Sequence, residues 1–250
     1  MGGAVFSISS VNHSPRDQLV YEDIAVGDID NDAITDVVLA GQADKKFFIL
    51  YGNSSGTFAR QDAYVFPSGI TRCRQGAVVD VNNDGAMDIA FACDKLVVLR
   101  NDGHNGFNAV TTYATGDRGG LAVLDANMDG YADIAVTLYS TGTVYLFVND
   151  GAGGFSRNNL ISAPQALNNS IYTTDVNKDG YVDLMASSFG NAIVLYLGNG
   201  TTTFSSPRLY PAPQTYTAAP VDLNNDGLMD VVAPSDDVGL TIYMNRGCAP

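Results

Sequence analysis

The chain has no tryptophan, one glutamate (Glu22), two histidines (His13 and His104) and three cysteines (Cys73, Cys93 and Cys248) in 250 residues. Each shortage excludes something. Glutamate and lysine are strong helix formers, whereas aspartate, which supplies every other acid, competes for caps and turns, so long helices are not expected. Two isolated histidines, neither in a base or metal motif, leave little acid–base chemistry. Neither a G-x-S-x-G elbow nor a Walker loop occurs, and no enzyme is expected. With 13 bases against 27 acids and a net charge of −14, the chain lacks the clustered cations that phosphate binding needs, so nucleic acid is not an expected partner. No apolar run reaches the ~18 residues that span a bilayer, so membrane insertion is not expected. The start, Met1-Gly2-Gly3-Ala4, shows neither the basic nor the apolar region of a signal peptide. Too few cysteines are present for a disulfide-framed miniature, and 46% hydrophobic content is enough for a real core. A single domain over residues 1–250 is the expectation.

What the chain does have is a nine-residue pattern, D-x-[DN]-x-D-[GA]-x-x-D, at 28–36, 80–88, 125–133, 175–183 and 222–230. First aspartates are 52, 45, 50 and 47 residues apart, close to a fifth of the chain. Around each copy lie short apolar segments bounded by turn residues. In the second unit, Gly76 to Val79 leads in, Ile89 to Ala92 leads out, Leu96 to Leu99 follows, and Asn101-Asp102-Gly103 turns into a segment starting at Phe107. Four strands in about 50 residues describe a propeller blade. The expected fold is all-β, with five four-stranded antiparallel blades. The fifth unit runs out before a fourth strand, and Gly2 to Ser9 resembles Gly153 to Ser156, so the N-terminal strand is expected to complete that blade and close the ring. A cut from a longer array is the alternative.

Oxygen donors at alternate positions of a short loop, with glycine at the sharp turn, suit a hard cation, and calcium fits best. The ligands expected in the first loop are Asp28, Asp30, Asp32, Asp36 and the carbonyl of Ile34. Those of the second are Asp80, Asn82, Asp84, Asp88 and the carbonyl of Ala86, and those of the third Asp125, Asn127, Asp129, Asp133 and the carbonyl of Tyr131. Asp175, Asn177, Asp179, Asp183 and the Tyr181 carbonyl serve the fourth loop; Asp222, Asn224, Asp226, Asp230 and the Leu228 carbonyl serve the fifth. The first loop departs most, with Ala33 in place of glycine and Asp30 in place of asparagine. The loops hold 16 of the 27 acids, leaving 11 against 13 bases, so the whole charge excess lies in them. Up to five structural calcium ions would bring the net charge to about −4. Asx-turns, in which the same side chains bond the loop backbone, are the competing reading.

These loops and their spacing resemble the FG-GAP/VCBS repeats of integrin α-chain propellers, bacterial surface proteins and fungal integrin-like lectins. The resemblance covers essentially the whole chain, although those propellers mostly have six or seven blades. It implies a calcium loop between the first and second strands of each blade. Calcium sites of extracellular modules are weak, roughly 10⁻⁴ to 10⁻³ M, which points to an extracellular or cell-surface location.

Pairing of the strands beside the second loop brings Cys73 roughly opposite Cys93, so a disulfide between them is expected, leaving Cys248 over. Loops opposite the calcium loops vary between blades and are the candidate ligand surface, with Arg72, Arg74, Arg118, Tyr139, Gln165 and Gln214 as candidate contacts. The expected ligand is a glycan, or alternatively an extracellular protein in adhesion. Tyr64, Tyr113 and Tyr210, each six residues after a phenylalanine, are candidates for sugar stacking or for packing between blades.

Overall fold

A computed structural model describes residues 21–41, 45–159, 167–188, 192–212, 215, 217–235 and 239–247. Among them there is no helix. The first sheet is β1 (Tyr21–Gly27), β2 (Asp36–Gly41), β3 (Lys46–Gly52) and β4 (Phe58–Val65), paired in that order. The second is β5 (Cys73–Val79), β6 (Asp88–Cys93), β7 (Lys95–Arg100) and β8 (Ala109–Ala114). β9 (Leu121–Leu124), β10 (Asp133–Thr137), β11 (Val144–Asn149) and β12 (Phe155–Asn159) make the third. The fourth is β13 (Leu167–Thr174), β14 (Asp183–Ser188), β15 (Ala192–Tyr196) and β16 (Arg208–Pro211). A fifth sheet has three strands among the described residues, β17 (Ala219–Val221), β18 (Asp230–Ser235) and β19 (Gly239–Tyr243). All pairings are antiparallel. The expected N-terminal strand at residues 2–9 lies outside the described residues.

The first strands of successive sheets lie side by side, β1 with β5, β5 with β9, β9 with β13 and β13 with β17. This succession is that of a β-propeller, each sheet a blade. It explains why β6, β10 and β14 are buried along their whole length. A sheet sandwiched between two others has no solvent face, so its second strand is apolar on both sides rather than alternating. Four apolar clusters fill the four joints. Phe47, Phe66, Phe91 and Phe107 dominate the first, Leu96, Val98, Ile134 and Phe147 the second, and Leu146, Leu184, Val194, Tyr196 and Phe204 the third. The fourth, around Met185, Ile193, Leu195 and three alanines, holds smaller side chains.

The phenylalanines after the third strand behave differently from expectation. Phe58 and Phe155 open β4 and β12, but β8 begins at Ala109 and β16 at Arg208, so Phe107 and Phe204 precede their strands as buried plugs. In the first two blades the tyrosine of the fourth strand meets the phenylalanine of the following blade, whereas Tyr210 of β16 meets Tyr243 at 6.2 Å. Tyr64 stacks on Phe47 at 5.0 Å and sets its edge to Phe107 at 5.4 Å, while Tyr113 meets Phe155 at 5.7 Å. The Tyr64 hydroxyl donates to the Asn105 carbonyl (3.0 Å), and Phe155 N–H donates to the Tyr113 hydroxyl (3.0 Å). These rings seam neighbouring blades.

Cys73 and Cys93 form a disulfide between directly opposed residues of β5 and β6, with a register shift before Gln75. Cys248 lies outside the described residues.

Candidate metal centres and the opposite face

In every blade the acidic loop leaves the first strand at its first aspartate and enters the second at its ninth. Adjacent loops lie at the same end of the molecule, since the Asn31 amide reaches the Gly85 carbonyl at 3.3 Å. The ninth residues, Asp36, Asp88, Asp133, Asp183 and Asp230, are fully buried. Each joins three segments. Asp88 accepts the N–H of Val81 at Oδ2 (3.0 Å) and of Asn101 at Oδ1 (2.8 Å), tying loop entry, β6 and the end of β7. The same two bonds recur from Ile29 and Gly52, from Ala126 and Asn149, from Val176 and Gly198, and from Leu223 and Asn245.

The remaining loop carboxylates turn the backbone. Oδ2 of Asp28, Asp80, Asp125, Asp175 and Asp222 accepts the N–H of the sixth loop residue, and Oδ1 of Asp32, Asp84, Asp129, Asp179 and Asp226 that of the seventh. The seventh residues Ile34, Ala86, Tyr131, Tyr181 and Leu228 are therefore held through their N–H groups, and their carbonyls are the remaining expected donors. The asparagines Asn82, Asn127, Asn177 and Asn224 donate to the fifth-position carboxylate at 2.7–2.8 Å. Asx-type bonding is thus present in all five loops, and it does not compete with metal binding. A carboxylate oxygen has two lone pairs, and a turn bond uses one.

Backbone geometry explains the glycine. Gly85, Gly130, Gly180 and Gly227 have φ of 81–88°, a region open to glycine at no steric cost. Ala33 takes φ 65° at the same position and bears the strain. The fourth residues, Asn31, Asn83, Met128, Lys178 and Asn225, are left-handed too, at 55–60°. Three of the five are asparagine, which tolerates this region, and that signal was present in the sequence.

The donor set fits a hard cation on three observations. Asp28, Asp30 and Asp36 each place a carboxylate oxygen within 4.8 Å of the others. Oδ1 of Asp30, of Asn82 and of Asp222 is shielded from solvent without a hydrogen-bond donor, and a buried oxygen of this kind ordinarily has a partner. Charge is also under pressure. Burial, followed by the neighbouring carboxylates Asp36, Asp32 and Asp28, raises the Asp30 carboxyl above its ordinary range. Burial pushes Asp88 up to about 6 against its two N–H bonds, with Asp84 and Asp80 adding to the rise, and Asp133 and Asp183 are raised in the same way. An all-oxygen set that penalises its own ionisation is relieved by calcium rather than by a softer metal. When bound, calcium neutralises the clustered carboxylates; every other feature described is made by the chain itself.

A second set of residues carries the joints. Asn101 Nδ2 donates to Ile29 O of the preceding blade (2.9 Å) and Met87 O of its own (3.2 Å). Asn149 does the same to Val81 and Ala132, and Asn245 to Val176 and Met229. The sequence reads Asn101-Asp102-Gly103 and Asn149-Asp150-Gly151 as turns, which they also are. Asp102 accepts N–H bonds from His104 and Gly106, and these hold its carboxyl below its ordinary range. His104 is an exposed turn residue beside the Asp102 carbonyl.

At the opposite end, three of the candidate contacts converge. Arg74 and Arg118, from the second and third blades, place their guanidinium carbons 5.7 and 5.5 Å from the Tyr139 ring centroid. Arg72 is exposed, and its carbonyl accepts Asp94 N–H (3.2 Å). Gln165 and Gln214 lie outside the described residues.

Comparison with known proteins agrees with this architecture. BBS1N, in a crystal structure of its complex with ARL6DN soaked with lead, superposes with a TM-score of 0.62 at 18% identity over 98% of this chain and 68% of that one. The mercury-soaked counterpart gives 0.61 at 17% identity over the same shares. A protein of unknown function from Bacteroides caccae gives 0.53 at 12% identity, covering 92% of this chain and 80% of that one. No curated protein matches the sequence. The model of the FG-GAP-like repeat matches residues 28–91, 125–186 and 175–233, each match beginning at the first aspartate of an acidic loop, and the chain belongs to that repeat family.

Proposed function

We propose that this chain is a non-catalytic, extracellular recognition module: a five-bladed ring held by up to five calcium ions, which binds a glycan on the face opposite the acidic loops. The observation that carries this reading is the division of labour between the two ends. One end repeats the same acidic loop five times, as a structural element does. The other end differs from blade to blade and brings Arg74, Arg118 and Tyr139 to one place. A glycan array read with and without chelator tests it. Repeated retention of one sugar class, lost on chelation, is the expected result; silence across the array would remove the glycan reading. The ARL6DN complex of the structurally similar BBS1N favours a protein ligand as the second reading.

Ring closure by residues 2–9 belongs to the same proposal. Apolar side chains are exposed at both ends of the blade series: Ile24 and Val26 on β1, Val221 and Leu223 at β17, and Leu240, Ile242 and Met244 at β19. Juxtaposing the first and fifth blades would cover the first two groups, and a fourth strand beside β19 the third. A cavity of about 680 Å³ lies between the fourth and fifth blades, lined by Ile193, Leu195, Tyr210, Ile242 and Tyr243 among others. At earlier joints a phenylalanine from the fourth segment, Phe107 or Phe155, faces the equivalent tyrosine. Phe6 would supply the missing ring. Hydrogen–deuterium exchange should show amides of residues 2–9 protected to the level of β19; free exchange there would rule the closure out.

A further inference from the structure

We propose that calcium loading is cooperative within two groups of loops, the first three and the last two, an inference that rests on the calcium reading of the acidic loops. In these loops the residue between the first and third ligands is held from both sides. In the first loop the Ile29 N–H is accepted by Asp36 Oδ2 (2.8 Å), the ninth residue of the same loop, while the Ile29 carbonyl accepts Asn101 Nδ2 (2.9 Å) from the second blade. Asn101 is fixed in turn by the ninth residue of the second loop, since Asp88 Oδ1 accepts its N–H (2.8 Å). Asp36 and Asp88 are thus joined by a run of hydrogen bonds through the residue that separates Asp28 from Asp30. The run continues from Asp88 through Val81 (3.0 Å) and Asn149 Nδ2 (2.8 Å) to Asp133 (2.8 Å). Asp183, Val176, Asn245 and Asp230 repeat it at 2.9, 2.8 and 2.7 Å. Ile29, Val81, Asn101 and Asn149 are buried, so breaking one of these bonds strands a donor or acceptor.

Between the third and fourth blades the run is interrupted. Gly198 stands where Asn101, Asn149 and Asn245 stand, its N–H accepted by Asp183 Oδ1 (2.8 Å), and it has no side chain to reach the third loop. Nor is there room for one, because a Cβ on Gly198 would lie 2.2 Å from the Val182 carbonyl oxygen. Links of this kind therefore join the first loop to the second, the second to the third and the fourth to the fifth. Coupling follows from the cost of ordering backbone. A loop ordered by its ion fixes its ninth aspartate, hence the asparagine bound to it, hence the second residue of the preceding loop. That neighbour then has less left to order when it takes its own ion. Linkage makes the effect equal in both directions. The carboxylates of each loop, at least three in number, more than neutralise one divalent ion, so repulsion between neighbouring ions does not cancel the gain.

The test is equilibrium dialysis of the full chain against graded calcium, read as ions bound per chain. Independent sites of whatever affinities give a Hill coefficient no greater than one, whereas coupling of about tenfold between neighbours should give about 1.5 or more. Replacing Asn101, Asn149 and Asn245 together by alanine should return the coefficient to about one. Asn245→Ala alone, at a half-buried joint, should lower it in part, so a triple variant that fails to fold leaves a second one to judge by. Asn53→Ala should change nothing. The Asn53 side chain bonds only within its own turn, to the Thr57 hydroxyl (2.8 Å) and the N–H groups of Ser55 (3.0 Å) and Thr57 (3.2 Å) among others. A coefficient of one or below in the wild type, or one that survives these replacements, would overturn the inference and spare the calcium reading; no uptake of calcium would end both.

Discussion

Removal of calcium is expected to lower the melting temperature by about 15–25 °C, the largest effect anticipated for this molecule. A ligand that binds only the folded state stabilises it by RT ln(1 + [L]/Kd). With free calcium at about ten times Kd, each loop contributes about 1.4 kcal/mol, and five loops about 7 kcal/mol. For a domain of this size each kcal/mol moves the midpoint by about 2–4 °C. The physical origin is visible in the loops: burial raises Asp30, Asp88, Asp133 and Asp183, so ionised, metal-free loops work against the fold. Differential scanning calorimetry in calcium and then in excess chelator measures the shift. An unchanged midpoint would mean that the turn hydrogen bonds alone hold the loops, and calcium would lose its structural role.

The sequence reveals the loops because their backbone bonding demands a side-chain oxygen at the first, fifth and ninth positions, which are aspartate in all five copies. Asp88 offers what its place requires, since two separate N–H groups point at its two oxygens in a buried place. The first-to-second strand connections are legible for the same reason, each being marked by a loop. Other features are hidden because their partners are remote in sequence. Asn101 reaches a carbonyl 72 residues away and Asn149 one 68 residues away, while their local sequence reads only as turns. Met128 and Lys178 adopt a left-handed backbone for which they have no preference of their own. The bonds of Asp125 to Asp129 and Gly130, and of Asp175 to Asp179 and Gly180, impose it. On the opposite face, Arg74, Arg118 and Tyr139 are each readable as variable loop residues. Their convergence depends on the packing of the second blade against the third, which no local pattern encodes.

Replacing a ninth aspartate separates the hydrogen-bond part of the loop from the metal part, and Asp133 is the best placed for it. Its Oδ2 accepts Ala126 N–H at 3.0 Å and its Oδ1 accepts Asn149 N–H at 2.8 Å, with no exposure to solvent. Asn149 then donates to Val81 O in the second blade at 2.8 Å, so the carboxylate also positions a joint between blades. Asp133→Ala strands two buried donors, each costing about 1–3 kcal/mol, and leaves a void. A total loss of about 4–5 kcal/mol follows, or about 10–15 °C in the midpoint. Asp133→Asn keeps one acceptor oxygen but turns an amide N–H₂ toward a backbone donor and removes a charge from the cation site. It should cost about 2–4 kcal/mol in calcium. In chelator the difference between wild type and Asp133→Asn should shrink, because the part that depends on attracting the cation is gone, while the cost of Asp133→Ala persists in the main. Equal losses for Asp133→Asn with and without calcium would assign Asp133 to the backbone scaffold alone, and the cation would then have to be held by the first, third and fifth loop positions without it.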